Sequence, residues 1–287
     1  ELDIEFAALS AGMTKTPNGN DSLVEDFDKI IADCRRLGAG MVRIGMLPIP
    51  SMRNLDTVLE FAGEGIDTVR SSVTFDGSLL ANQAIENITL TGTGNTNATG
   101  YNGRNVLIGN SGNNELNGKG GDDVMTGGLG DDTYIVDRAG DLTVEKAGQG
   151  NDTVKAVLSW TLSGNIERLI LAGTGAFNAT GNDLDNTITG NANNNVITGG
   201  LGKDTLTGGG GNDTFDFNAV SELNFATPDR ITDLNAGDKV DFSTIDANSI
   251  AGGNQAFTRV AAFSGVAGQM TITFNSGAGI TDVRGDV

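Results

Sequence analysis

The 287-residue chain carries 43 glycines against 4 prolines, 38% hydrophobic residues, 5% aromatics and a formal net charge of −19. Neither collagen, with glycine at every third place, nor a proline-rich spacer has that composition. With no Lys/Arg cluster, nucleic acid and anionic membrane are poor partners and cations are the natural ones.

Residues 1–56 read as strand, helix, strand. "LDIEFAALSAG" is strand-like. Asn20 or Asp21 caps a helix through "SLVEDFDKIIADCRRLGAG", with Leu23, Val24, Phe27, Ile30, Ile31, Cys34 and Leu37 on one face. Asp21 and Glu25 in its first turn, and Arg35 and Arg36 in its last, suit the helix dipole. Gly38 or Gly40 ends it, and Met41–Met46 forms the next strand. Cys34, the single cysteine, is expected in the core; no internal disulfide is available. "SLVEDFDKIIADCRRLGAGMVRIGMLP" resembles one step of a sugar-phosphate isomerase/epimerase barrel. The resemblance covers about a fifth of the chain, where a barrel needs eight such steps. It implies a remnant without a complete active site, whose apolar face is expected to cap the open end of the coil described next.

Beyond residue 56 the sequence repeats itself. "EFAGEGIDTV" (Glu60–Val69) returns as "EKAGQGNDTV" (Glu145–Val154), and "IENITLTGTGNTNATG" (Ile85–Gly100) as "IERLILAGTGAFNATG" (Ile166–Gly181). This places one unit at 57–147 and a second at 148–217. Each contains a period of nine: "GYNGRNVLI", "GNSGNNELN", "GKGGDDVMT" and "GGLGDDTYI" from Gly100, then "GNDLDNTIT", "GNANNNVIT", "GGLGKDTLT" and "GGGGNDTFD" from Gly181. Position eight is always apolar or aromatic: Leu107, Leu116, Met125, Tyr134, Ile188, Ile197, Leu206, Phe215. Position six is always Asn or Asp: Asn105, Asn114, Asp123, Asp132, Asn186, Asn195, Asp204, Asp213. A flexible linker has no reason to keep two columns in phase.

Physically, six Gly- and Asn-rich residues make a turn and three make a short strand whose middle side chain points inward. Successive strands stack in parallel as a coil. One inward apolar residue per nine is a thin core, so something else must hold the turns together, and the position-six carboxylates are the candidates. Between the runs, "DTVRSSVTF", "DTVKAVLSW" and "ERLILAG" read as ordinary strands. So do "DRITDLNAGDKVDFSTI" and "GQMTITF" in residues 218–287.

The nonapeptides are similar to the G-G-x-G-x-D-x-U-x motif of RTX proteins. That resemblance implies a mainly β fold, a parallel β-roll (right-handed β-helix) with two nonapeptides per turn and several calcium ions between turns. It implies Asp123, Asp132, Asp204 and Asp213 as side-chain ligands. Carbonyls near Gly121, Gly128, Gly130, Gly200, Gly202, Gly209 and Gly211 would complete the shell. Asn105, Asn114, Asn186 and Asn195 depart from the motif, so their turns are expected to bind weakly or not at all. Hard oxygen donors, with no histidine in the chain, favour Ca²⁺ over a transition metal. The tail from Gly211 to Asp246 is similar to the C-terminal domain of serralysin-type secreted proteases. This implies type I secretion and an extracellular location. The sequence ends at "DVRGDV", short of the strands expected to finish that domain, so the secretion signal is expected to be trimmed or lost. A start at Glu1 likewise fits a fragment.

No catalytic residue is singled out. Without histidine there is no Ser–His or Cys–His pair and no zinc-protease helix, and no nucleophile elbow or Walker loop occurs. No apolar run approaches the ~18 residues of a membrane helix, and a secretory leader is not expected. "RGD" at Arg284–Asp286 is read as chance, and "NAT" at Asn97 and Asn178 forms glycosylation acceptors only in a secretory route that the RTX resemblance argues against. The expectation is a secreted calcium-binding module, not itself an enzyme, that folds on Ca²⁺ after export. The alternatives are the C-terminal part of a larger secreted enzyme (protease, lipase or polysaccharide-modifying) and a calcium-dependent self-assembling surface or matrix protein.

Overall fold

The computed structural model describes residues 66–79, 85–223 and 228–245, together with the strands Val42–Ile44, Thr57–Leu59, Thr258–Arg259, Gln269–Asn275 and Ile280–Asp286. The expected helix after Asp21, Cys34 and the capping contact lie outside the described residues. The strand expected at Met41–Met46 is found as Val42–Ile44, antiparallel to Thr57–Leu59.

Each nonapeptide makes one short strand, because glycine and asparagine turns flank three residues of high strand preference. Thr187–Thr189, Val196–Thr198 and Thr205–Thr207 are examples. The side chain in the middle of each strand points inward, and all eight position-eight residues are fully buried. Successive strands alternate between two opposite faces, so residues 18 apart stack in register. Leu107 meets Met125, Leu116 meets Tyr134, Ile188 meets Leu206 and Ile197 meets Phe215, all in parallel pairing. The fold is a parallel β-solenoid, with no α-helix among the described residues.

One face of the solenoid is a single twelve-stranded sheet that begins at Phe75–Asp76. The other face is two five-stranded sheets. The first ends at Leu142–Val144 and the second begins at Trp160–Thr161. Hydroxyls bridge the seam between them: the Ser163 hydroxyl donates to the Thr143 carbonyl at 2.8 Å and lies 2.7 Å from the Thr143 hydroxyl. The spacer strands complete the same ladders, with Thr153–Ala156 lying between Thr133–Val136 and Arg168–Leu171. At its C-terminal end the long sheet turns antiparallel. Arg230–Ile231 pairs with Ile280–Asp286, which pairs in turn with Gln269–Asn275. Arg284, Gly285 and Asp286 are part of that paired strand.

Candidate metal centres

The turns at the solenoid edges follow from the glycine pattern. Gly121, Gly128, Gly130, Gly200, Gly202, Gly209 and Gly211 all have φ between 91° and 133°, a region that L side chains rarely adopt. At Gly130 and Gly202 space is closed as well, since a Cβ would lie 2.8 Å from the Gly112 carbonyl oxygen and 2.5 Å from that of Leu184. Position one is glycine in all eight repeats for a different reason. At Gly118, Gly127, Gly199 and Gly208 the place of a Cβ is taken by the carboxylate of the same repeat's position-six Asp.

Position six is thereby aimed at the neighbouring turn. The carboxylates of Asp123, Asp132, Asp204 and Asp213 each accept the backbone N–H of the residue 18 earlier. The donors are Asn105 (2.7 Å), Asn114 (2.7 Å), Asn186 (2.7 Å) and Asn195 (2.9 Å). The bond uses Oδ1 alone. The second oxygen, Oδ2, of Asp123, Asp132 and Asp204 is buried with no hydrogen-bond partner. A buried carboxylate oxygen left this way is costly unless a cation or a donor reaches it.

The four asparagines solve the same problem internally. Nδ2 of Asn105, Asn114, Asn186 and Asn195 donates to a carbonyl of the preceding turn: Ile85 (2.7 Å), Thr96 (2.6 Å), Ile166 (3.2 Å) and Phe177 (2.7 Å). Asn110, Asn182 and Asn191, at position two, each bridge two carbonyls of the turn before. Asn191, for example, reaches Gly173 and Gly175 at 2.8 Å each. In the asparagine turns amide N–H groups stand where a cation would otherwise be needed. At Oδ2 of Asp123, Asp132 and Asp204 no donor does.

Electrostatics agree. Burial raises the carboxyl of Asp123 to about 6, Asp132 to about 7 and Asp204 to about 8, against the pull of the backbone N–H each accepts. Neighbouring carboxylates push in the same direction: Asp141 on Asp123, Asp152 on Asp132, Asp229 on Asp204. Asp213 is also raised, by burial first and then by Asp238. The ion pairs Arg138–Asp137 and Lys155–Glu115 involve none of these groups.

The ladder extends beyond the residues expected from sequence. The N–H of Asp123 donates to Asp141, that of Asp132 to Asp152, that of Asp204 to Asp229 and that of Asp213 to Asp238, at 2.8–3.0 Å. Oδ2 of Asp229 is a further buried oxygen with no partner. Asp152 was legible, since "AGQGNDTVK" is a nonapeptide with alanine in place of the first glycine. Asp229 and Asp238 were not, because they stand 25 residues from their partners and break the period.

The architecture of stacked nonapeptide turns has a counterpart among known families. The sequence matches the family model described as Peptidase M10 serralysin C terminal over residues 72–287. The chain belongs to the serralysin C-terminal family. A search of curated proteins finds no match. In this serralysin C-terminal chain the family region takes in every aspartate of the ladder from Asp123 to Asp238. Residues 1–56, with the isomerase-like segment, lie outside it. Among the described residues no helix is long and apolar enough to cross a membrane.

Proposed function

We propose that this chain is a calcium-binding solenoid of a secreted protein, whose aspartate turns close on Ca²⁺ once the chain has left the cell by a type I apparatus. The observation that carries the reading is the pairing within the carboxylates of Asp123, Asp132 and Asp204: one oxygen fastened to the neighbouring turn's N–H, the other buried and without a partner. A hard divalent cation satisfies such oxygens. Turn carbonyls near Gly121, Gly128, Gly130, Gly200, Gly202, Gly209 and Gly211 supply further oxygen donors of the kind Ca²⁺ takes. Before binding, repulsion among the carboxylates and the freedom of the glycines keep those turns loose. Extracellular calcium, at roughly millimolar, suits weak sites of this class and couples binding to folding. Far-UV circular dichroism tests it: β signal should rise on adding Ca²⁺ and fall with a chelator. A spectrum indifferent to chelator overturns it.

A second reading is favoured by the family description, which names the C-terminal part of a peptidase. Here the solenoid is the folding and export module of a longer secreted enzyme. The full open reading frame decides it: a zinc-binding histidine helix upstream of Glu1 supports this reading, and a frame without a further domain removes it.

A further inference from the structure

Where the first repeat run passes into the second, the pattern departs from itself. The place 18 residues after Gly127, where regular stacking would bring another position-one glycine, is occupied by Glu145, which follows the strand Leu142–Val144. The next turn is longer, so Asp152 stands 20 residues from Asp132 instead of 18. As a result Asp132, Glu145 and Asp152 each present a carboxylate oxygen within 4.8 Å of the other two, and all three are buried.

We propose that Asp132, Glu145 and Asp152 form a separate cation site at this seam, more negative than the two-carboxylate turns and selective for a hard divalent ion of the calcium class. The proposal rests on the reading of position-six carboxylates as cation ligands, since Asp132 and Asp152 belong to that ladder. Glu145 is the new element. Its Oε1 accepts the Tyr134 hydroxyl and the Gly128 N–H. Its Oε2 is buried with no partner, as is Oδ2 of Asp132. Glu145 is only 7% exposed, so bulk solvent screens its carboxylate little.

Tyr134 is the positioning residue. Its oxygen accepts the Gly127 N–H at 2.7 Å, which leaves its own proton to donate to Glu145. The other seven repeats place Leu, Met, Ile or Phe at position eight and have no such hydroxyl. Asp233 offers a contrast within the same fold. It also faces a position-one glycine, yet both of its oxygens are used, accepting the N–H groups of Gly208 and Gly209 at 2.8 Å each. At Glu145, by contrast, the anchoring bonds use one oxygen and the other is left buried without a partner. Three carboxylates with no lysine or arginine between them call for a cation, and affinity in oxygen cages rises with ligand charge.

Terbium(III), a hard ion with calcium-like preferences, is the probe, with the full chain and excitation in the tyrosine band. A single early phase of sensitised emission is expected, reversed by Ca²⁺. Tyr134→Phe should remove most of that emission, with Trp160 unchanged in every variant. Glu145→Gln keeps the acceptor for Tyr134 and should shift the early phase to at least about tenfold higher concentration, the lower end of what losing even an outer partner of a metal ligand costs. Asp204→Asn should leave that phase in place and remove a later one. Glu145→Gly, which restores the residue of the other turns, is the second variant should the glutamine chain lose its β signal in calcium, and the same shift is expected. If Asp204→Asn removes a phase but both Glu145 variants bind as the parent does, the triad is refuted and the ladder reading stands. A parent chain showing no binding phase at all overturns both.

Discussion

At the scale of the residue, the choice between Asp and Asn at position six decides what a turn requires. An asparagine brings its own N–H to the carbonyl of the turn before, as Asn195 does to Phe177. An aspartate brings a second oxygen and no donor, as Asp204 does. Asp204→Asn should therefore stabilise the chelated protein, by about 1–3 kcal/mol if the new amide finds a carbonyl, the cost of one unsatisfied buried polar group. Thermal unfolding in chelator checks it, and the same variant should gain less from calcium than the parent. The pH dependence has a definite sign. Asp132 and Asp204 hold their protons up to about 7 and about 8 when folded and only to the ordinary carboxylate range when unfolded. Without a cation, the folded state binds more protons over that window, so its stability is fullest below about pH 4 and is lost as pH rises through about 7 to 8. In chelator the unfolding midpoint should fall between pH 5 and 8. A midpoint that climbed with pH would mean these carboxyls are not held as described.

At the scale of the element, a nonapeptide works only if its first residue has no side chain. Gly199 leaves room for the Asp204 carboxylate, and a Cβ there would displace it. Gly199→Ala should cost about 1–3 kcal/mol, as overpacking of a closed site does, and should weaken calcium binding with it. Gly164→Ala is the control: its φ lies outside the positive range and nothing stands within 4 Å of the added carbon. Its unfolding midpoint in calcium should match the parent's, and equal losses in the two variants would refute the argument. The strand half of the repeat was plain from sequence, because Leu206 alternates with Thr205 and Thr207 and its burial follows from the pleat. The turn half was legible at Gly200 and Gly202, whose positive φ only glycine accepts readily. What the period did not show is that Asn182 and Asn191 reach across to the turn beneath them, since a hydrogen bond between residues 16 to 19 apart leaves no mark on a nine-residue pattern.

For the whole molecule, the two kinds of turn divide the solenoid. The stretches 105–117 and 186–198 are closed by amide N–H groups, whereas 118–136 and 199–216 leave carboxylate oxygens open. Amide hydrogen exchange in chelator should therefore show higher protection in Asn186–Thr198 than in Gly199–Asp216, and calcium should raise the second to match the first. Uniform protection across both stretches in chelator would deny the division.

From sequence alone the nine-residue period, the inward column at position eight and the column of Asn and Asp oxygens at position six were determined, because a repeat this short leaves each residue one role. Tertiary structure decided which carboxylates meet. Asp132, Glu145 and Asp152 come together because a lengthened turn carries Asp152 past the regular offset, and Asp229 finds Asp204 across 25 residues for the same kind of reason. Stacking in a solenoid depends on the path of the chain around each turn, and an insertion changes that path without announcing where its neighbours will lie.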